Sequence, residues 1–354
     1  MDPYFPIILT QNMILCLATA CFISRSTVLS KREKLGFYLT LFVGLFIAVC
    51  EMISTGTNRK PGMVTLQSVA ACLNIGLTPL LPVISVLVIG KSRKVKILAL
   101  IPVVINLLFL VTGQLFTISP AGSYRRDPMF ICFMGCYIFN MLLLTWRSFV
   151  FSRLNQNHNV VSLFFICLFM ISSTSIQLRL PQIHFSWFCV TVTILLYLIY
   201  YADTIHKMDG LTGLLNRYAF QDYSVRCRKR IAGVLMIDLD DFKIINDSYG
   251  HLTGDVYLKR FSACIRTTFR HWGYCFRLGG DEFCVLMDRK NGGPELEDLL
   301  EELQEQCRDA DGLPAPLGFS HGFQSLESAT PLEDAMELAD KKMYLLKASR
   351  KKNR

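Results

Sequence analysis

Arg277-Leu278-Gly279-Gly280-Asp281-Glu282-Phe283 separates two short apolar stretches, near 274 to 278 and 283 to 287. Two glycines between such stretches predict a tight hairpin that joins two strands. The glycines would let a ligand approach the backbone, and the turn carries a pair of acids. Acids in a turn are often only solvated, so this stretch alone does not decide the function.

A second acidic pair follows an apolar stretch upstream, in Gly233-Val-Leu-Met-Ile-Asp238-Leu-Asp240. The pattern predicts a buried strand that carries carboxylates to the point where the sheet opens to solvent. Carboxylates suit Mg²⁺, which proteins usually share between one or two acids and substrate phosphates. The two acidic groups together therefore favour metal-assisted phosphoryl chemistry over simply solvated acids.

The polar part of the chain, from Asp209 onward, alternates predicted helices and strands. Such a mixture predicts an α+β domain. Helices are expected near 213–230, 244–249, 254–271, 294–309 and 331–350, and strands near 233–239, 274–278, 283–287 and 316–323.

Four motifs in this polar part resemble, in order, those of the GGDEF family of diguanylate cyclases. Asp209-Gly-Leu-Thr-Gly-Leu-Leu-Asn-Arg217 is similar to the opening signature, and Asp238-Leu-Asp-Asp-Phe-Lys-Ile-Ile-Asn-Asp-Ser-Tyr-Gly-His-Leu-Thr-Gly-Asp255 to the nucleotide-site segment. The hairpin follows, and Ala339-Asp340-x-x-Met-Tyr344-x-x-Lys347 resembles the closing helix. The resemblance covers about 209 to 352. It implies a fold like the palm of polymerases and class III nucleotide cyclases, with a central, mostly antiparallel sheet.

The resemblance implies a role for single residues. Asp238, the Leu239 carbonyl and Asp281 would hold two Mg²⁺ ions at each GTP site, with Mn²⁺ as an alternative ion. Asp238, Asp281 and Lys243 would be catalytic, and Asp281 would assist deprotonation. The other implied roles are guanine binding by Asn246 and Asp255, triphosphate contact by Phe242 and Lys243, phosphate binding by Lys347 and Lys351, nucleotide approach at Gly279 and Gly280, and support by His251, Arg277 and Glu282.

The implied reaction joins two GTP molecules into cyclic di-GMP. The 3′-hydroxyl of one GTP attacks the α-phosphate of the other and expels pyrophosphate, and the step is repeated in reverse roles; metal ions would stabilise the developing charge. One domain offers one GTP site, so a homodimer is expected. Asp255 argues against an adenine-containing product, because adenine would leave it unmatched. The alternative function is an inactive domain that binds GTP or relays a signal.

Two motifs depart from the family pattern. Many members carry Arg-x-x-Asp before the hairpin, which binds product and inhibits, whereas this chain reads Arg270-His-Trp-Gly273. Without the acid, product inhibition through Arg270 is expected to be weak or absent. In the closing helix Lys351 stands where the family usually has arginine, and lysine cannot bind phosphate bidentately. Arg350 is expected to substitute only if the helix frays.

The first 200 residues differ sharply from the polar part. The 354-residue chain is 52% hydrophobic, more than an ordinary soluble protein. Residues 1–200 hold 15 Lys and Arg against four acids, and the remainder holds 22 against 24. The basic excess thus lies between apolar segments, where it sets orientation in a membrane, and it does not indicate nucleic-acid binding.

Seven segments approach the roughly 20 apolar residues that a membrane-crossing helix needs. The first, third and fifth connections are the richest in basic residues, which predicts an outer N-terminus and a cytoplasmic C-terminus in the inner membrane of a bacterial cell. The expected domains are a transmembrane sensor at 1–202, an all-α bundle; a short helical connector at 203–208; and the cyclase domain at 209–354. The segments are 6–24, 35–55, 64–90, 96–118, 129–150, 160–178 and 184–202.

Two features of these segments suggest an external or intramembrane small ligand of unknown identity. Glu51 is the single acid inside a predicted span, where a carboxylate contacts a ligand or reaches water at the helix end. Pro79 and Pro82 interrupt the third segment, and a kink there either shapes a pocket or is absorbed locally. A stiff connector is expected to transmit movement of the bundle to the cyclase domain.

Overall fold

The chain folds into two compact units, Met1–Ile205 and His206–Arg354. Each unit contains hydrophobic clusters of its own. Residues 90, 184, 294 and 309, at which predicted segments were expected to begin or end, lie outside the described residues. The computed structural model describes residues 4–89, 92–154, 156, 160–179, 185–289, 295–308, 313–327 and 330–352.

The first unit is built of helices and one small hairpin. Six helical segments in its described part are long and apolar enough to cross a membrane, and a shorter apolar stretch, Val161–Ser173, lies in a further helix. The count of seven spans therefore stays a prediction. The elements are α1 (Phe5–Arg25), α2 (Lys31–Gly56), α3 (Val64–Leu77), α4 (Leu80–Ile89), α5 (Arg93–Val111), β1 (Phe116–Ile118), β2 (Tyr124–Arg126), α6 (Phe130–Leu154), α7 (Val160–Arg179) and α8 (Ser186–His206).

The third predicted segment is broken at Pro79, between α3 and α4. Proline has no N–H, so the carbonyl of Ile75, four residues earlier, loses its helical donor. The amide Nδ2 of Asn106 on α5 donates to that carbonyl at 2.9 Å, and Nδ2 of Asn140 on α6 donates to the Pro79 carbonyl at 3.4 Å. Side chains of two neighbouring helices therefore satisfy the backbone groups at the break.

The fourth predicted segment, 96–118, is wrong at its C-terminal end. Helix α5 ends at Val111, and Gly113 adopts a left-handed conformation with φ of +69° that stops it. The chain then forms the β1–β2 hairpin, in which Phe116 pairs with Arg126. The N–H of Arg59, just after α2, donates to the carbonyl of Gly122 at 2.9 Å. The hairpin is thereby attached to the C-terminal end of α2.

The second unit contains a four-stranded antiparallel sheet with strand order β4-β5-β3-β6. Its α+β composition and mostly antiparallel sheet confirm the predicted fold class. The elements are α9 (Arg217–Arg226), β3 (Ile231–Leu239), α10 (Phe242–Tyr249), α11 (His251–Phe269), β4 (Gly273–Gly279), β5 (Glu282–Asp288), α12 (Leu296–Arg308), β6 (Phe319–Ser325) and α13 (Leu332–Lys352).

Helices cover both faces of the sheet, which explains why β3 reads as one continuous apolar stretch. Side chains alternate between the two faces of a strand. Leu235, Ile237 and Leu239 pack with α10, α11 and α12 in one cluster. Val234 and Met236 pack with α9 and α13 in the other. Residues 238 and 240 share the alternation of the second set, so they lie on the face that α13 covers.

The first helix of this unit is shorter than the predicted 213–230. Gly213 has φ of +67°, a left-handed conformation that interrupts a helix. Asn216 then caps α9, because its Oδ1 accepts a hydrogen bond from the N–H of Ala219 at 2.9 Å. A 3₁₀ turn, Arg228–Arg230, follows α9. The opening signature is therefore mostly a loop.

Candidate active site

The central strand β3 carries two carboxylates to its C-terminal end. Asp238 pairs in register with Glu282 of β5 and Ser320 of β6, so it lies in the middle of the sheet. The ammonium Nζ of Lys347 on α13 forms an ion pair with Oδ1 of Asp238 and lies 3.5 Å from the Leu239 carbonyl oxygen. A cationic group therefore already sits against two of the three expected metal ligands.

The β4–β5 hairpin brings the third expected ligand to the same place. The N–H of Leu239 donates to the backbone carbonyl of Asp281 at 3.3 Å. Burial raises the pKa of the Asp238 carboxyl above its usual value, the negative charges of Asp281 and Asp240 raise it further, and Lys347 opposes the shift. Burial also raises the pKa of Glu282, together with the charges of Asp238 and Asp281. Such mutual repulsion favours a bound cation at this point.

The donor set fits Mg²⁺ only if the substrate completes it. Among the residues that the structure describes, no group of three or more His, Cys, Asp or Glu side chains is arranged to hold a metal. Asp238, Asp281 and the Leu239 carbonyl offer hard oxygens alone, which Mg²⁺ prefers, and Mg²⁺ usually takes further ligands from phosphates and water. The position of Lys347 Nζ beside two of these oxygens is a second sign that they attract a cation.

Arg277 ties the hairpin turn to the opening loop. Its Nε and Nη2 donate to the Gly280 carbonyl at 3.0 and 2.8 Å, and its Nη1 lies 3.1 Å from Oδ1 of Asp209. The same Oδ1 accepts from the N–H of Thr212 at 2.8 Å. Burial of Asp209 acts to raise its pKa, but the hydrogen bonds from Thr212 and the contact with Arg277 outweigh burial and lower it. Arg277 and Asp209 therefore position the turn.

The two glycines of the turn face open space. Apart from the neighbouring residues in the chain, no atom of the described residues lies within 4 Å of a Cβ added at Gly279 or at Gly280. Gly280 has φ of +52°, which other residues rarely adopt, whereas Gly279 is not in the left-handed region. The fold therefore explains glycine at 280, but nothing in the folded chain requires it at 279.

The predicted guanine-binding residues meet where α10 and α11 pack. A Cβ added at Gly254 would overlap Oδ1 of Asn246 and lie 3.3 Å from Cζ of Phe242. Glycine at 254 therefore allows the Asn246 amide to lie against the start of α11, next to Asp255. Lys243 and His251 are exposed on the same pair of helices.

Helix α13 reaches the carboxylates because it packs unusually close to β6. A Cβ added at Gly322 would overlap the backbone of Ala339. From this helix Arg350 Nη1 approaches Asp240 Oδ2 at 3.1 Å and donates to the carbonyl of Phe319, whereas Lys351 is exposed. Because α13 is helical through Lys352, Arg350 makes these contacts without fraying of the helix, and its expected role as a substitute for the phosphate-binding arginine stays a prediction. Lys347 and Arg350 are three residues apart and share a helix face.

The Arg270-x-x-Gly273 segment lies apart from this cluster. Arg270 is exposed, and its Nε donates to Nε2 of His271 at 3.0 Å. Gly273 begins β4, where an added Cβ would lie 2.5 Å from the Leu286 carbonyl and 3.0 Å from Cγ1 of Val285. The backbone thus has no room at position 273 for the missing acid.

Asp240, the second acid of the pair at the end of β3, anchors a side chain of α13, a contact that the sequence did not predict. Its side chain is 8% exposed, and Oδ1 accepts a hydrogen bond from Oγ of Ser320 at 2.7 Å. It anchors Arg350 and therefore holds the C-terminal end of α13 over Asp238. The signal in the sequence was the i, i+2 spacing of the two acids, which places them on one strand face.

Comparison with known proteins agrees with this geometry. Residues 206–353 match the family described as diguanylate cyclase, GGDEF domain. The chain is 34% identical over 153 residues to the diguanylate cyclase DgcS of Shewanella oneidensis, covering 40% of this chain and 49% of that protein. It is 49% identical over 88 residues to the cyclic di-GMP phosphodiesterase NbdA of Pseudomonas aeruginosa, covering 23% of this chain and 11% of that protein.

One similar solved structure is the coiled coil and GGDEF domain of DgcB from Caulobacter crescentus in complex with c-di-GMP. It is 25% identical, with a TM-score of 0.42, and the match covers 49% of this chain and 95% of that one. The chain spans half or less of the length of the two curated relatives named above. The second unit, in which the matched residues lie, is a GGDEF domain.

Proposed function

We propose that this protein is a membrane-bound diguanylate cyclase that joins two GTP molecules into cyclic di-GMP and releases two pyrophosphates. The observation that carries the proposal is the convergence of Asp238, the Leu239 carbonyl and Asp281 beside the open backbone of Gly279. The family of the second unit and the printed name of DgcS support it.

In the proposed mechanism Asp238, Asp281 and the Leu239 carbonyl hold Mg²⁺ or Mn²⁺. The ion would supply charge stabilisation at the α-phosphate and lower the pKa of the attacking 3′-hydroxyl. Asp281 is the proposed acceptor of the hydroxyl proton. Its hairpin is fixed to the strand end by the Leu239 N–H, so the carboxylate is positioned before substrate arrives.

Other residues of this chain would bind and orient the GTP. Asn246 and Asp255 would bind the guanine edge at the junction of α10 and α11. Lys347 and Arg350, on one face of α13, would bind phosphate, and Lys347 would leave Asp238 for the triphosphate once metal is bound. Phe242 and Lys243 would contact the triphosphate from the start of α10.

A homodimer is part of the proposal. Each chain carries one set of these residues, and the reaction consumes two GTP molecules that attack each other. Two chains related by a twofold axis would bring the two half-sites face to face. The six long apolar helical segments among the described residues of the first unit support a multi-pass membrane location. The proposed orientation in the bacterial inner membrane, with the N-terminus outside and the GGDEF domain in the cytoplasm, rests on the seven predicted spans and their basic connections.

A GTP-binding or relay module without turnover is the second candidate function. The ion pair between Lys347 and Asp238 favours it, because that ammonium lies against two expected metal ligands. The chain also matches, over 88 residues, a protein whose printed name is a cyclic di-GMP phosphodiesterase, so a sequence match of this kind does not by itself imply cyclase turnover.

The decisive experiment incubates the full chain in lipid nanodiscs with Mg²⁺ and labelled GTP, beside Asp281→Asn and beside labelled ATP. The cyclase predicts cyclic di-GMP from GTP alone, lost in Asp281→Asn and after chelation of Mg²⁺. Asp247→Asn, an exposed acid on α10, is the matched control and should keep full activity. GTP binding by the wild type without any product would favour the relay module.

A further inference from the structure

Two buried asparagine side chains meet the broken helix at Pro79. Asn106 on α5 is 0% exposed and Asn140 on α6 is 1% exposed. Each amide donates through Nδ2 to a backbone carbonyl of the break, Asn106 to that of Ile75 and Asn140 to that of Pro79. Because a carbonyl can only accept a hydrogen bond, these contacts determine which end of each amide is the nitrogen. The oxygen Oδ1 of each amide is therefore turned away from the carbonyl that Nδ2 contacts.

The two amide oxygens are buried acceptors without a donor. Neither Oδ1 of Asn106 nor Oδ1 of Asn140 has a hydrogen-bond partner in the part of the chain that the structure describes. Burying such an oxygen alone costs free energy, so native proteins pair buried acceptors with a donor, a water molecule or a cation. Two unpartnered oxygens at one helix break therefore indicate a site for a further group.

The two oxygens lie in one polar layer of the helix bundle, because the same two apolar clusters flank it on each helix. Asn106 lies between the clusters on α5, Asn140 lies between them on α6, and Pro79 lies between them along α3 and α4. The residues of the first cluster on these helices include Val83, Val103 and Leu143, and those of the second include Ile75, Phe109 and Phe133.

Thr78 adds a third oxygen to this layer. It immediately precedes Pro79, and its Oγ1 donates to the carbonyl of Asn74 at 2.6 Å. Because the proton of the hydroxyl is used in that contact, Oγ1 can only accept from, or coordinate, another group. Thr78 also lines a cavity of about 630 Å³ in the first unit, together with Asn74 and Ile75. The cavity therefore reaches the break and offers a small group a way in.

Close packing at the break limits the size of its occupant. Gly76 lies in the last turn of α3, and a Cβ added there would lie 3.1 Å from Cδ2 of Leu110 and 3.8 Å from Cδ2 of Leu107. Glycine at this position thus lets α5 approach the break closely enough for Asn106 to reach the Ile75 carbonyl. A layer packed in this way has room for a single ion or water molecule and not for an organic ligand.

We infer that the break binds one monovalent metal cation of the Na⁺ type through Asn106 Oδ1, Asn140 Oδ1 and Thr78 Oγ1. All three groups are acceptors, so the occupant has to supply positive charge or protons. None of the three is a carboxylate, whereas Mg²⁺ and Ca²⁺ are usually held by carboxylates, so a monovalent ion fits them better. Oxygens of interrupted membrane helices coordinate Na⁺ in this way. The inference does not depend on the proposed nucleotide chemistry.

The test uses the full chain in lipid nanodiscs, in choline chloride that is replaced stepwise by NaCl at constant ionic strength. Binding of radioactive Na⁺ in a scintillation proximity assay is the first readout. The second is thermal unfolding of a Trp272→Phe variant, in which the remaining tryptophans, Trp146 and Trp187, both belong to the first unit. We expect saturable binding of Na⁺ and a Tm that rises with Na⁺ until the site is filled.

The variant Thr78→Val removes one proposed ligand and keeps the shape of the side chain. It should weaken Na⁺ binding about tenfold, since one oxygen contact to a cation is lost, and Thr78→Ser should restore it. Thr112→Val is the matched control, because the Thr112 hydroxyl donates to the Leu108 carbonyl at 2.9 Å but is exposed beyond the end of α5. It should bind Na⁺ as the wild type does. Asn140→Leu should abolish the dependence of Tm on Na⁺.

The inference is overturned if Na⁺ neither binds saturably nor raises Tm relative to choline, because a water molecule would then be the sole occupant. It is also overturned if saturable binding survives unchanged in Thr78→Val and Asn140→Leu, or if Thr112→Val weakens binding as much as Thr78→Val does. Displacement of labelled Na⁺ by Li⁺ or K⁺ would support a monovalent site, whereas displacement by lower concentrations of Mg²⁺ than of either would contradict it.

Discussion

At Gly279 the surrounding space is open and the backbone is not left-handed, so an alanine fits the folded chain. We expect Gly279→Ala to leave the free energy of unfolding within about 0.5 kcal/mol of wild type. Cyclase activity should nevertheless fall roughly a hundredfold, because the added methyl group displaces the nucleotide. Urea denaturation of residues 206–354 and pyrophosphate release from the full chain measure the two effects.

Gly210→Ala is the matched control for that change. Gly210 is also exposed, not left-handed and free of non-neighbouring atoms within 4 Å of an added Cβ, but it belongs to the opening loop and not to the turn itself. It should alter neither stability nor activity. Full activity in Gly279→Ala would show that the nucleotide does not approach the backbone of the turn.

Asp209 gives the second unit a pH-dependent stability. Its pKa is lowered in the folded chain from an ordinary 3.8, so the ionised form stabilises the fold at neutral pH, and this contribution is lost as pH falls through the lowered value. Asp209→Asn should therefore be less stable than wild type at pH 7, and the difference should shrink below pH 3.8. Urea denaturation of residues 206–354 across this range measures it.

The exposed Asp247, changed to Asn, provides the comparison, since the described residues include no hydrogen-bond or ion-pair partner of its side chain. Its stability should follow that of the wild type at every pH. If the Asp209→Asn difference were as large at pH 3 as at pH 7, the contact with Arg277 would not be its source.

Helix α13 carries two lysines that lie one turn apart. Lys347 lies on the carboxylate cluster, whereas Lys351 is exposed. We expect Lys347→Met to lower kcat/KM for GTP about a hundredfold, because a positioned cation is lost at the phosphates. Lys351→Met should stay within about twofold, since exposed charges contribute little. Steady-state kinetics with GTP compares them.

The variant Arg350→Met tests whether Arg350 or Lys351 takes the place of the arginine that the family usually has in this helix. It should lower kcat/KM more than Lys351→Met does, because Arg350 contacts Asp240 and the Phe319 carbonyl from the same face as Lys347. A larger loss of kcat/KM in Lys351→Met than in Arg350→Met would show that Lys351 takes the place of the usual arginine.

The sequence predicted the strands of the second unit well and the helix ends less well. Strand β3 was predicted correctly because its residues are buried on both faces of the sheet and therefore form one continuous apolar stretch in the sequence. The start of α9 was missed because Gly213 and Asn216 decide it through a left-handed turn and a cap. The closeness of Arg350 to Asp240 depends on Gly322, whose partner Ala339 is distant in the chain. A contact between residues that are distant in the chain leaves no pattern in the sequence around either residue.

For the whole molecule, the first residues of the second unit, which follow directly on the first unit in sequence, are held by contacts within the second unit. Helix α8 runs unbroken to His206, and Nδ2 of Asn216 donates to the His206 carbonyl at 2.7 Å. Lys207 follows, 3.3 Å from Asp222 of α9. We expect a connector held in this way to transmit movement of the bundle better than a flexible one would.

We expect a short Gly-Ser insertion after His206 to abolish any response of cyclase activity to a ligand of the first unit. The same insertion after Lys352 adds equal length without touching the link and serves as the control. Activity of both proteins in nanodiscs, with and without a ligand that binds the first unit of the wild type, is the measurement. An unchanged response in the His206 insertion would show that the link need not be stiff.

The break at Pro79 has a consequence for synthesis of the protein. On the proposed membrane location, the Ile75 and Pro79 carbonyls emerge from the ribosome before their partners Asn106 and Asn140. Until α5 and α6 follow, these groups must be shielded from lipid by the insertion machinery or by water, since bare carbonyls are costly in hydrocarbon. On this location we expect the first four helices to insert as an intermediate whose two open carbonyls are satisfied only after α5 and α6 have followed.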